Sequence, residues 1–156
     1  MDSPPLVYKA FFLYLEPIST ILGAYFAHVQ PSIYLQLTHT ASAPGEDAAL
    51  PLSTKVVLSQ LANLYFLFAL NEGLILRATH DVRVWRTLLF GLLVADFGHL
   101  YSVYPLGIDK YWCFWLWNAM DWGSIAFVYA GAVMRISFLL GIGLVERRSG
   151  DKVKEP

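Results

Sequence analysis

Residues 81–107 read DVRVWRTLLFGLLVADFGHLYSVYPLG. From Val84 to Tyr104 this is an almost unbroken apolar run of about 20 residues, the length of one helix across a bilayer core. Asp96 and His99 interrupt it well inside the run. A charge at the bilayer centre costs roughly 2.5–3.5 kcal/mol on insertion scales, so such residues face inward, pair, and mark a functional site by default. Three residues apart on a helix, Asp96 and His99 are neighbours able to touch.

Three more windows have the same character. One runs about Leu6–Val29, one about Thr54–Leu76, and one starts between Trp112 and Trp122 and ends near Val145, taken as residues 120–145. The composition agrees. Of 156 residues, 56% are hydrophobic and only 15% charged, against roughly 25% charged in an ordinary soluble domain. A disordered chain, a soluble enzyme and a nucleic-acid binder are all poor fits, the last because a net charge of −1 offers no basic footprint. A single cysteine, Cys113, leaves no internal disulfide and no cysteine-based zinc cluster. The first window is not read as a signal peptide, because it is too long and carries Glu16-Pro17 in its middle.

The only long connection is residues 30–53, with Pro31, Pro44, Pro51 and the pair Glu46-Asp47. Its first half, IYLQLTHTA, is apolar enough to lie along the interface. Short connections elsewhere make neighbours antiparallel. The expected fold is therefore all-α: one four-span domain over residues 1–156, an antiparallel four-transmembrane-helix bundle. Side A carries Lys9, Arg77, Arg83, Arg86, Arg147, Arg148, Lys152 and Lys154, and side B only Lys55 and Lys110. The excess predicts both termini in the cytoplasm. The Trp and Tyr cluster over residues 101–122 then falls at the side B boundary. It reads as an aromatic belt or, more sharply, as a pocket stabilising a carbocation.

Six ionisable groups lie in or beside the spans besides Lys9, which can snorkel: Glu16, Glu72, Asp96, His99, Asp121 and Arg135. At 1.5 Å per residue, Glu16 lies about 15 Å from side A, near the midplane. Asp96 matches that depth, and so does Arg135 if its span runs to Val145. Glu16 shares a face with Ser19, Gly23 and Ala27, a run of small residues that lets another helix come close. Gln60, Asn63 and Asn71 form a narrow polar stripe on the second span, with Glu72 about 100° away. Asn118 and Asp121 are again three apart, and Arg135 lies nearly on their face.

These estimates place Glu16, Asp96 and Arg135 in the midplane part of one buried seam, and Gln60, Asn63, His99, Asn118 and Asp121 in its side B part. Trp122 belongs to its rim. Arg135, the only deep cation, is expected to pair with Asp96, Glu16 or Glu72. As chemistry, Glu16, Asp96, His99 and Asp121 are acid/base candidates, since a buried carboxyl can stay protonated and donate. Gln60, Asn63, Asn71, Glu72, Asn118, Trp122 and Arg135 line a pocket or hold helices together. No metal is expected, because a zinc site wants three or four ligands and His99 alone offers a good nitrogen. No cofactor motif is present.

The segments YLEPIS (14–19), LSQLANLYFLFALNE (58–72), residues 81–107 and WNAMDWGSIAFVYAGAVMRISFLLG (117–141) resemble a family of short fungal four-span membrane proteins of unknown function. That resemblance implies fold and membrane location and carries no activity. In architecture the chain is also remotely similar to the integral-membrane terpene cyclases of fungi and to sterol-isomerase-like proteins, which use intramembrane acids on isoprenoid-like molecules. No site residue is carried over from either, and a shared pocket type does not establish a function.

Two functions compete at this stage. One is a cofactor-free acid/base isomerase or cyclase acting on an apolar isoprenoid- or sterol-like substrate that enters from the lipid. The other is a non-catalytic lipid-binding or scaffold subunit of the membrane, in which the seam serves packing. A proton-coupled transporter is a third, handicapped by having only four spans. Expected partners are membrane lipid, an apolar small molecule, and another copy or another membrane protein, with no nucleic acid. The expected location is the endoplasmic reticulum membrane.

Overall fold

The computed structural model describes residues 4–45 and 48–144. Among these it shows five helices and no strand: α1 (Leu6–Val29), α2 (Pro31–His39), α3 (Leu52–Ala78), α4 (Val82–Leu106) and α5 (Ala119–Leu139). All but the short α2 are long and apolar enough to cross a membrane. Ile18, Leu74, Phe90 and Val133 project outward from the four spans, which suits a lipid solvent and not water. Glu46, Asp47, Val145, Arg147, Arg148, Lys152 and Lys154 lie outside the described residues.

Two span boundaries differ instructively from the sequence expectation. Asp81 caps α4 by accepting from the Arg83 amide at 2.8 Å, which moves its start to Val82. The fourth span stops at Leu139, six residues short of Val145. Gly141 adopts φ +80°, and the amides of Gly141 and Ile142 bond back to Phe138 O (3.0 Å) and Ser137 O (2.9 Å). That is a Schellman end, which satisfies the last carbonyls and stops the helix.

α1 packs along α3, and α4 along α5. The small-residue face of α1 makes the first pairing close. A Cβ on Gly23 would sit 3.4 Å from the Tyr65 ring, Ala27 is buried, and His28 Nδ1 meets Ser59 Oγ at 3.1 Å. Three spans carry a π-helical turn, at Phe11–Leu15, Asn71–Ile75 and Trp122–Ala126. Such turns insert one residue and concentrate at functional sites. The first ends beside Glu16 and the second contains Glu72. Pro17 has no N–H for the Leu13 carbonyl one turn back. The Arg77 guanidinium donates to that carbonyl instead, at 2.8 Å, while lying over the Tyr14 ring.

The side A half of the bundle is filled with aromatics. Tyr8, Phe11, Phe12, Trp85, Leu89 and Phe138 form its core. Inside a bilayer such packing stabilises through dispersion and not through release of water. The Tyr8 hydroxyl donates to Ile142 O (2.8 Å), joining the start of α1 to the turn after α5.

The side B half is held differently. The Lys110 ammonium bonds Asp121 Oδ2 at 2.7 Å, Tyr111 donates to Leu100 O at 2.6 Å, and Trp117 Nε1 donates to Lys110 O at 2.9 Å. α2 lies across this end, tied by Asn118 Nδ2 to Leu37 O (2.8 Å) and by the Tyr34 and Tyr65 hydroxyls at 3.1 Å. Burial pushes the Tyr34 phenol above its ordinary range, so it stays a neutral hydrogen-bonding group.

Candidate functional site

Four spans each send one charged side chain to a common point. Arg135 of α5 donates through Nη1 to Asp96 Oδ2 of α4 at 2.7 Å. Its Nη2 donates to Glu72 Oε1 of α3 at 3.0 Å and to Glu16 Oε1 of α1. All four residues are buried. Helical side chains tilt toward their own N-terminus. α1 and α4 run from side A to side B and tilt toward side A, whereas α3 and α5 run the other way and tilt toward side B. Arg135 leaves its helix only four residues from Leu139, much nearer side A than a helix ending at Val145 implied. Its long side chain makes up that depth.

The hub has one strict steric requirement. A Cβ on Gly131, one turn before Arg135, would sit 2.6 Å from Nη1 and 3.4 Å from Glu16 Oε1. The Phe12 ring lies 5.7 Å from the guanidinium carbon on another side. Gly131 was not singled out from sequence. Its signal was there: a glycine four residues from the only deep arginine.

On the side B flank of the hub lies a cavity of about 280 Å³. Glu16, Glu72, Asp96 and Arg135 form its inner end, His99 and Ser124 its wall, and Tyr34 and Leu37 of α2 its roof. Most of the rest is apolar, with Phe26, Phe68, Leu92, Phe127 and Val128 among the lining residues. Leu22, Ala119 and Gly123 line it and are exposed, so it opens sideways between α1 and α5. The described residues lining it include no tryptophan. Trp112, Trp115 and Trp122 are exposed at the side B end, where an aromatic belt lies. No Trp or Tyr of residues 101–122 lines the cavity, so the expectation of a carbocation pocket built from that cluster is corrected: the aromatic walls are Phe26, Phe68, Phe127, Tyr34 and Tyr65.

The structure gathers Glu16, Glu72, Asp96, His99 and Arg135 at one cavity and leaves other expected members of the seam outside. Gln60 and Asn63 are exposed on the outer face of α3. That helix buries Leu58, Ala62, Ala69 and Glu72 instead, because one carboxylate paired with Arg135 outweighs neutral amides in choosing the inward face. Asn71 is half-buried in a groove between α3 and α4. Asp121 is buried but committed. Its Oδ2 accepts from Lys110 and from the Asn118 amide (3.0 Å), while Asn118 Oδ1 accepts from the Asp121 amide (2.9 Å), a closed capping box at the start of α5. Neither Asn118 nor Asp121 lines the cavity. Trp122 packs edge-on against Trp117 at 5.2 Å.

Among the described residues, some polar atoms at the site remain buried without a partner: Glu16 Oε2, Glu72 Oε2, Arg135 Nε and His99 Nε2. Buried polar atoms are nearly always hydrogen-bonded, and exceptions concentrate where chemistry or binding occurs.

Fold and site together define a small four-span membrane protein with an intramembrane charged hub beside an apolar cavity. The chain belongs to the family that shares a domain of unknown function, DUF7704, matched over residues 2–144. No curated protein and no solved structure matches the chain.

Proposed function

We propose that this protein is a cofactor-free acid/base isomerase or cyclase of the membrane, acting on an apolar isoprenoid- or sterol-like substrate held in the cavity. The observation that carries this reading is the cavity itself: apolar walls converge on three carboxylates and on His99, whose Nε2 has no partner. Such a constellation is what a binding pocket with a few convergent polar groups looks like. One guanidinium faces three carboxylates, so electrical neutrality in a low-dielectric interior leaves protons on the acids. A protonated Glu16 or Asp96 transfers its proton to an alkene or epoxide. His99 removes a proton from the neighbouring carbon, and passage of that proton from His99 back to the acid that donated, Asp96 three residues away on α4 or Glu16 across the hub, restores the starting state. At about 280 Å³ the cavity lies just below the usual range of ligand sites, about 300–1,000 Å³, and favours a slender isoprenoid over a full sterol.

A second reading is favoured by Arg135 itself. One side chain bonds all three acids and so ties all four spans, as a structural hub of a lipid-binding or scaffold subunit would. The excess of lysine and arginine on side A supports cytoplasmic termini, and the endoplasmic reticulum is the membrane proposed for it.

The test is expression in microsomes supplied with isoprenoid epoxides and sterol precursors, comparing wild type with Glu16→Gln, Asp96→Asn and His99→Ala. Loss of about 10²–10⁴-fold in turnover is expected for the acid and the base. If Glu16→Gln and Asp96→Asn both turn over substrate at the wild-type rate, the assigned roles are wrong. A stoichiometric lipid or partner subunit on a wild type that converts nothing supports the second reading.

A further inference from the structure

A second concavity lies on the other side of the cavity wall. Between α3 and α4, at their side A ends, runs a lipid-facing groove of about 750 Å³. Phe68 and Leu92 line both the groove and the cavity, so these two side chains form the partition between them. Leu92 is buried and Phe68 half-buried. Toward the hub the groove is apolar, with Leu88 and the bare backbone of Gly91, where a Cβ would meet nothing within 4 Å. At its side A mouth it carries Asp81 and Arg83 beside Val84 and Ile75, with Thr87 and Asn71 further in. The Arg83 side chain is 84% exposed and, among the described residues, pairs with Asp81 at 3.5 Å. An exposed pair of this kind is worth about 0–1 kcal/mol, so a bound anion displaces it cheaply. By contrast, Arg77 is engaged by the Leu13 carbonyl and the Tyr14 ring.

We infer that groove and cavity form one binding site for a single-chain amphiphile with a carboxylate head, the head held at Arg83 and the chain passing between Phe68 and Leu92 into the cavity. The dimensions agree. Arg83 and Leu92 are nine residues apart on α4, about 14 Å along its axis, a distance that only a long chain spans. The slender cavity then needs to hold only the far part of that chain, beside Glu72 and Asp96. The guanidinium fork matches a carboxylate, and the position of Arg83 at the membrane boundary leaves the head in contact with water. The inference rests on the proposed function for its chemistry, since it places the reacting bond far from the head, but not for its binding.

The experiment uses the full chain in phosphatidylcholine nanodiscs with three photoreactive probes: a sixteen-carbon carboxylic acid with a mid-chain diazirine, the matching alcohol and the matching alkyl phosphate. Labelled peptides are mapped by mass spectrometry. The acid is expected to label both the groove and the cavity segments 22–26 and 120–127. Arg83→Ala lowers acid labelling up to about fivefold, the loss of one water-exposed charge pair, and leaves the alcohol unchanged. Phe68→Ala raises cavity labelling relative to groove labelling, and Phe68→Trp lowers it. Opposite signs from one position separate a gate from damage to the fold.

Equal labelling by acid and alcohol, indifference to Arg83→Ala, stronger labelling by the phosphate, or same-sign effects of the two Phe68 variants overturns the inference. If labelling fails while turnover of a neutral isoprenoid still depends on Asp96, the groove site falls and the proposed function stands. If labelling follows the pattern and no turnover exists, the reverse holds.

Discussion

Gly131→Ala tests the hub with a single added carbon. The new Cβ would stand 2.6 Å from Arg135 Nη1. Carbon and nitrogen in contact prefer about 3.5–4.0 Å, so the guanidinium must retreat by roughly 1 Å. The bond from Nη1 to Asp96, 2.7 Å in the native site, then lengthens beyond hydrogen-bonding range. Losing one charge-assisted bond costs about 1.5–3 kcal/mol, and overpacking adds about 1–3 kcal/mol. Alanine returns about 1 kcal/mol in helix propensity. The expected net loss is about 1.5–5 kcal/mol, a large share of a total stability of about 5–15 kcal/mol. Reversible unfolding in mixed micelles titrated with SDS, followed by tryptophan fluorescence, measures it. Gly98→Ala is the control, because a Cβ there meets nothing within 4 Å, and it should be neutral or stabilising by up to about 1 kcal/mol. A cycle with Asp96→Asn should show sub-additive costs, since both changes remove the same bond. If Gly131→Ala is as stable as wild type, or if the cycle is additive, the hub geometry derived above is wrong.

Arg135→Met should cost about 3–5 kcal/mol, because it strands three buried acids, and adding Glu16→Gln, Glu72→Gln and Asp96→Asn should recover most of that in the same titration. Asp121→Asn should cost about 1–2 kcal/mol through the lost cap and ion pair, and should speed amide hydrogen exchange at residues 119–122 without changing ligand labelling in the cavity. Gly141→Ala forces a side chain into a left-handed conformation, costs about 1–2 kcal/mol, and should raise exchange specifically at the Gly141 and Ile142 amides, which close the end of α5.

The spans were legible because length and hydropathy alone decide them: the run from Val84 to Tyr104 is too apolar and too long for anything but a crossing. The inward face of α1 was legible too, because Ser19, Gly23 and Ala27 share a side with Glu16. α3 shows where a single-helix reading stops. Its amide stripe is real, but which face turns inward is settled by a partner on another helix, Arg135, which no periodicity within α3 reveals. Asp121 shows a related limit. An acid three residues after Asn118 is at once a catalytic candidate and a capping residue, and only the position of Lys110 decides between them. The groove behind Phe68 was not legible at all, since it exists between two helices and belongs to neither sequence.

The order in which the charges leave the ribosome follows from the hub. Glu16, Glu72 and Asp96 lie on the first three spans, and their cation arrives only with the fourth. Until then each new helix brings into the membrane an acid with no cation to pair with, kept neutral by a proton. The three earlier spans therefore lack the one side chain that bonds their acids to each other, and the last helix supplies it. A chain halted before Arg135 would present those acids to the bilayer, and so carries its own marker of incomplete assembly for membrane quality control to read.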